Sequence, residues 1–256
     1  MEPLHICVRR TLPWDDEEAV AAALDPAARP MVELWNATFN LRYPAFRSRL
    51  TRIARESWSR IEDAKLTPRA ELPPGALVAP VDDDDWFSPE IASRLLAERH
   101  PSRQGFHWNR YIVEAPRRRR RWPWARSRRA ADTSRYTCGS NNYAVRNLPA
   151  LSAALGGHVV ASRVFDANPG LVRHLDASLS IQSRSLASQS AFEMSGRRAR
   201  KSTPGQPAPE PTRDVLLGMY RSHRGFYDHL RLPSEVAWAQ PYVAAMAELM
   251  HELRLK

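Results

Sequence analysis

Four consecutive aspartates, Asp82 to Asp85, follow the apolar run Ala76–Val81 and run straight into Trp86-Phe87-Ser88-Pro89. Adjacent carboxylates repel one another and solvate poorly beside apolar neighbours. A divalent cation bridged to phosphate oxygens relieves both penalties. Capping of a helix beginning near Pro89 would account for one or two of these side chains, since carboxylates favour helix N-termini, but not for four behind a buried strand. Hard cations such as Mg²⁺ or Mn²⁺ take oxygen ligands and are held through one or two carboxylates plus substrate phosphates. The pattern therefore predicts a metal-diphosphate site at the carboxyl end of a strand, where open α/β sheets bind ligands.

Such a site needs elements to hold it. Leu4–Arg9 reads as a first strand, Asp15–Leu24 as an alanine-rich helix, and Met31–Ile61 as two helices separated near Pro44. Pro73-Pro74-Gly75 is a turn, Ala76–Val81 a short buried strand of the parallel kind, and Ser88-Pro89 the start of a helix reaching Ala97. Gly105–Glu114 reads as a strand, Leu148–Leu155 as a short helix closed by Gly156-Gly157, and His158–Phe165 as another strand. Asp214–Leu230 and Ser234–Leu253 read as a helical tail. The expected domains are a catalytic α/β domain over 1–194, a linker over 195–212 rich in Arg, Ser, Pro and Gly, and a helical segment over 213–256.

The chain has 256 residues and a formal net charge of +10, enough length to bury one core of α/β size. The basic excess is almost all arginine, with lysine at 65, 201 and 256 alone. No run approaches the roughly 20 apolar residues of a membrane span, and the first residues lack the features of a signal peptide. Cys7 and Cys138 show no metal-ligand spacing and are expected to be reduced, which suits a cytoplasmic location.

Residues 117–130 form an Arg-rich segment around Trp122 and Trp124 and read as a loop inserted between strands. Cations with interleaved aromatics suit nucleic-acid phosphates and bases, an anionic membrane surface, or a polyanionic glycan. This stretch carries the rival reading, a non-enzymatic basic protein that binds nucleic acid or membrane.

The strand, the Asp-Asp-Asp-Asp-Trp-Phe run and the following Ser-Pro resemble the Asp-x-Asp segment of GT-A nucleotide-sugar glycosyltransferases. The likeness extends to Cys138-Gly139-Ser140-Asn141-Asn142-Tyr143-Ala144-Val145 and to Leu179–Ser188, covering about Ala76 to Phe192. It implies a Rossmann-type, mostly parallel sheet flanked by helices, and transfer of a sugar from a nucleotide-sugar donor to a glycan or other hydroxyl acceptor. It also implies a Mn²⁺ or Mg²⁺ ion acting as a Lewis acid as the nucleoside diphosphate leaves. On this reading Asp83 and Asp85 are the preferred metal pair, although Asp82 and Asp84 are almost equally placed, and His158 is the preferred additional ligand over His174. Asp82, Asp84, Trp86, Asn141, Asn142 and Arg184 are the expected substrate contacts. The amides suit sugar hydroxyls or, equally, a tight turn; Arg184 suits a phosphate. Asp166, Asp176 and Glu193 are candidates for a general base, with none preferred. Asp15–Pro74 departs from the GT-A pattern, being mostly helix where strand-helix units are expected. A third possibility is a transferase that keeps the fold without turnover.

Overall fold

The structure, a computed structural model, describes residues 2–9, 12–24, 28–98, 100, 102–115, 128–130, 138–139, 141–187 and 212–256. The strands β1 (Leu4–Val8), β2 (Ala64–Leu66), β3 (Leu77–Val81), β4 (Trp86–Phe87), β5 (Gly105–Glu114), β6 (Arg128–Ala130), β7 (Tyr143–Arg146) and β8 (Val172–Arg184) share one sheet. Its order is β2-β1-β3-β7-β5-β8-β4, with β6 paired to β5. The β1–β2, β1–β3 and β5–β8 pairs are parallel; β7, β4 and β6 run against their neighbours. Five strands thus point one way, and the mostly parallel α/β sheet expected from the sequence is present.

The chain leaves β1, returns in β2 on one side of it, and then crosses to lay β3 on the other side. The connections therefore diverge between the carboxyl ends of β1 and β3, the switch point at which open α/β sheets form a crevice. Pro80 widens this point. Val81 gives its carbonyl to the Arg9 amide of the β1 side, so Pro80, one residue earlier, directs its nitrogen toward β7. Pairing with β7 has already ended at Val78, and the missing N–H of Pro80 leaves no ladder bond unmade.

The first sheet face carries the larger core. Helices α1 (Glu17–Ala23), α2 (Arg29–Thr38), α3 (Tyr43–Ser59) and α4 (Ile91–Ala97) pack there. So do α6 (Arg213–His223), α7 (Phe226–His229), a 3-10 segment over Ser234–Ala239 and α8 (Gln240–Glu252). Asp16 caps α1 by accepting from the Glu18 and Ala19 amides. Pro44 lies in the first turn of α3, where a missing N–H is harmless, rather than between the two helices. The C-terminal helices join the same cluster as β1 and β3 through Leu216, Tyr220, Tyr242 and Met246, so the tail completes this core.

The second face is covered by a 3-10 turn, Ser152–Gly156, and α5 (His158–Ala167), around Tyr143, Val145, Leu151 and Phe165. Cys7 and Cys138, both free and buried, belong to this layer. Two sequence expectations change here. His158–Phe165 is a helix, not a strand: Ala161 and Phe165, four residues apart, are its buried positions, while Val159 and Val160 face solvent. Leu148–Leu155 is a turn and a 3-10 segment, not an α-helix. Of the inserted segment, residues 128–130 form β6; the rest of 117–127 and the linker over 195–211 lie outside the described residues.

Candidate functional site

The acidic run sits at the carboxyl end of β3, at the switch point, and its four side chains turn in different directions. A turn closed by the Asp85 amide on the Asp82 carbonyl (3.2 Å) folds the run back on itself. Asp82 meets Arg9, just past β1, at 3.2 Å, and its side chain keeps 41% of its surface exposed. Asp83 is buried between the Arg47 guanidinium (2.5 Å) and the Trp14 indole N–H (2.7 Å). Asp84 takes the other arm of Arg47 at 2.9 Å. Asp85 accepts the Ser183 amide of β8 at 3.0 Å and is 1% exposed.

Arg47 reaches the run because α3 presents it on the helix face buried with Tyr43, Phe46, Leu50 and Ala54. Trp14 lies against Tyr43, and the Arg47 guanidinium sits over the Trp14 ring at 5.1 Å. Trp58, the last residue but one of α3, donates to the Asp85 carbonyl, and Ser57 accepts the Phe87 amide. Tyr227 of α7 closes over this region near Ser183 and Asp84, and burial pushes its phenol above the usual range. Burial likewise pushes Asp84 up to about 6; the Arg47 charge opposes that shift, and the Asp83 and Asp82 charges add to it. Arg47 itself is held more firmly protonated than an exposed arginine by Asp84 and Asp83, which together outweigh its desolvation.

Among the described residues no group of three or more His, Cys, Asp or Glu side chains forms a metal cage. Asp83 and Asp85, the preferred metal pair from the sequence, face inward and already hold protein donors. Asp82 is the carboxylate that reaches solvent. Among the described residues, a cation at this run could draw on Asp82 alone without displacing a donor from Asp83, Asp84 or Asp85, and its other ligands would have to come from a bound molecule or water. His158 stands exposed at the start of α5, a position set by Gly157 at φ 149°, in the left-handed region that favours glycine.

The other predicted contacts separate. Trp86 is in the core against Tyr242, 1% exposed. Arg184 pairs with Glu114 at 3.2 Å across the β5–β8 ladder. Asn141 and Asn142 are buried at the start of β7. Asn141 donates to the Ile181 carbonyl at 2.8 Å, and its Oδ1 has no partner. Asn142 accepts the Gly139 amide and donates to the Trp108 carbonyl; its amide nitrogen also lies 3.0 Å from His107 Nε2. This begins a polar group on the second face in which Asn142, His174 and Asp176 were candidates from the sequence and His107 and Asn109 were not. His107 Nδ1 lies 3.0 Å from His174 Nδ1, and Asn109 donates to Asp176 at 2.8 Å. The four residues come together only through the parallel β5–β8 register, His107 opposite His174. Arg9, Arg47 and Trp14 were missed as well. The available signal for Arg47 was an arginine inside an apolar helical stripe.

The chain matches no model of a known protein family, and no curated protein matches it.

Proposed function

We propose that the chain is a nucleotide-sugar-dependent glycosyltransferase whose donor diphosphate binds between the carboxyl ends of β1 and β3. The observation that supports this most is the pairing of Asp82 with Arg9 at the switch point, a half-exposed carboxylate and a guanidinium side by side. Three of the four carboxylates gathered there, Asp82, Asp83 and Asp84, are ion-paired to two guanidiniums, Arg9 and Arg47. An excess of acid over base favours an added cation, and Arg9 can exchange Asp82 for a phosphate oxygen through a charge-assisted bond.

Mn²⁺ or Mg²⁺ held by Asp82 and the diphosphate would neutralise charge on the leaving nucleoside diphosphate. The protein's own residues have defined parts in this reading. Arg47, Trp14 and the Ser183 amide fix Asp83, Asp84 and Asp85, so the turn that aims Asp82 is rigid before ligand arrives. Arg9 orients the diphosphate. The acceptor is a hydroxyl compound.

Thermal unfolding with UDP-, GDP- and dTDP-sugars, each with and without Mn²⁺, tests the proposal. At least one donor should raise the melting temperature in a Mn²⁺-dependent manner, and Asp82→Asn and Arg9→Ala should each abolish the rise. Stabilisation by no donor, or stabilisation indifferent to both substitutions, refutes it.

A further inference from the structure

His107 and His174 stand opposite each other on the parallel strands β5 and β8, and Tyr143 of β7 lies on the other side of His107. His107 is buried, as is Asn142 just before β7, whereas His174 is exposed. The two rings meet nearly edge to edge, with centroids 5.2 Å apart and Nδ1 3.0 Å from Nδ1. Two bare nitrogens gain nothing at that distance, and two N–H groups repel, so one ring donates and the other accepts. Asn142 decides which.

The backbone fixes the Asn142 amide first. A peptide N–H only donates and a peptide carbonyl only accepts. The Gly139 amide donates to Oδ1, and the Trp108 carbonyl takes one N–H of Nδ2 at 3.0 Å. Flipping the side-chain amide would break both bonds. The nitrogen 3.0 Å from His107 Nε2 is therefore a donor, and Nε2 accepts from it. A neutral His107 then carries its proton on Nδ1 and donates to His174 Nδ1. His174 in turn carries its proton on Nε2. The reverse arrangement would set N–H against N–H between His107 and Asn142.

We propose that Asn142 is a positioning residue that sets the protons of both histidines, leaving His174 a hydrogen-bond donor through Nε2 and not a ligand for a cation. Histidine binds a metal ion through a bare ring nitrogen. In this arrangement both bare nitrogens, His107 Nε2 and His174 Nδ1, already accept a hydrogen bond. What suits His174 is an acceptor oxygen. The inference does not rest on the transferase reading. It bears on it at one point, by removing His174 and leaving His158 as a further ligand for the ion.

The experiment is a two-bond ¹H–¹⁵N correlation spectrum of the ¹⁵N-labelled chain in metal-free buffer at about pH 8, above the ordinary histidine range. It reads which nitrogen of each neutral ring carries the proton. The two rings are identified by loss of their signals in His107→Gln and His174→Ala. His107 should be found in the Nδ1–H form and His174 in the Nε2–H form, each outnumbering its alternative by about tenfold or more. In Asn142→Ala, His107 loses its fixed donor and should populate both forms, whereas an asparagine with a purely structural role would leave the tautomer as it was. Equimolar Zn²⁺ should leave both rings unchanged in the parent chain. The Nε2–H form of His107 in the parent, an unaltered tautomer in Asn142→Ala, or a zinc-induced shift of either ring overturns the inference. Should Asn142→Ala not fold, the parent spectrum and the zinc addition still decide the matter. None of these outcomes touches the Mn²⁺-dependent donor test, which reads Asp82 and Arg9.

Discussion

The acidic run and the cleft between the β4–α4 turn, β8 and Ser234–Ala239 are joined by a strand of two residues, yet they differ in how their polar side chains are paired. Around Asp83, Asp84 and Asp85, each carboxylate has at least one donor, Arg47, Trp14 or the Ser183 amide, although Arg47 Nε beside them is buried without a partner. Around Ser178 and Trp238 the polar atoms are buried and left unsatisfied. A saturated network contributes rigidity and resists substitution. An unsaturated one contributes little to the free fold. The difference separates side chains whose bonds hold the frame from side chains that add no bond to it, and within the acidic run the half-exposed Asp82 stands apart from the three buried partners.

The sharpest way to break the contrast is to remove the cation that two of these carboxylates share. Arg47→Leu should strand Asp83 and Asp84 without their shared cation and cost about 3–5 kcal/mol. Chemical denaturation should show the midpoint falling accordingly, and a loss below about 1 kcal/mol would mean that water already serves these carboxylates. Asp85→Ala comes next. It leaves the Ser183 amide buried and unpaired at the β8 end, for a loss of about 1–3 kcal/mol. Hydrogen exchange at that amide should accelerate more than its neighbours.

A pH series sharpens the comparison further. Asp84 titrates near 6 in the fold and near 3.9 when unfolded. The folded chain therefore holds a proton that the unfolded chain has lost between those values, and this group favours folding more as pH falls. The stability of the parent chain minus that of Asp84→Asn should rise between pH 7 and pH 4, by on the order of 1–3 kcal/mol. A difference that is flat or falls on acidification would show that the Arg47 charge, not burial, governs Asp84. The smallest expected effect is that of Asp82→Asn on the free chain. Its ion pair is half-exposed, and such pairs contribute about 0–1 kcal/mol. A near-silent substitution in the free chain that abolishes donor-dependent stabilisation would place Asp82 on the ligand side of the divide.

The frame was readable in the sequence where local chemistry decided it. Gly105–Glu114 alternates aromatic and polar residues and is β5 to the residue. Ala76–Val81 ends in the acidic run and is β3, apart from its first residue. His158–Phe165 misled because Val159, Val160 and Val164 favour strands. Gly157 and the four-residue spacing of Ala161 and Phe165 impose a helix instead. The long strand β8 was hidden because its register with β5 shifts twice near Trp108–Arg110, which interrupts the alternation that would announce it. Partners of the acidic run were hidden for a different reason. Arg9, Trp14, Arg47 and Ser183 come from four separate stretches, and no spacing rule links them to Asp82–Asp85 before the sheet order is known. The same holds for Ser178 and Trp238.

The two buried thiols give the second sheet face a property that the first lacks. Burial pushes the Cys7 thiol up and the Cys138 thiol to about 12, so almost no thiolate exists at neutral pH for an alkylating reagent to attack. Labelling must wait until the layer under α5 opens. Among the described residues the tryptophans of the two cores lie on the first face. Fluorescence and alkylation rate therefore time the loosening of the two sides of one sheet as separate clocks.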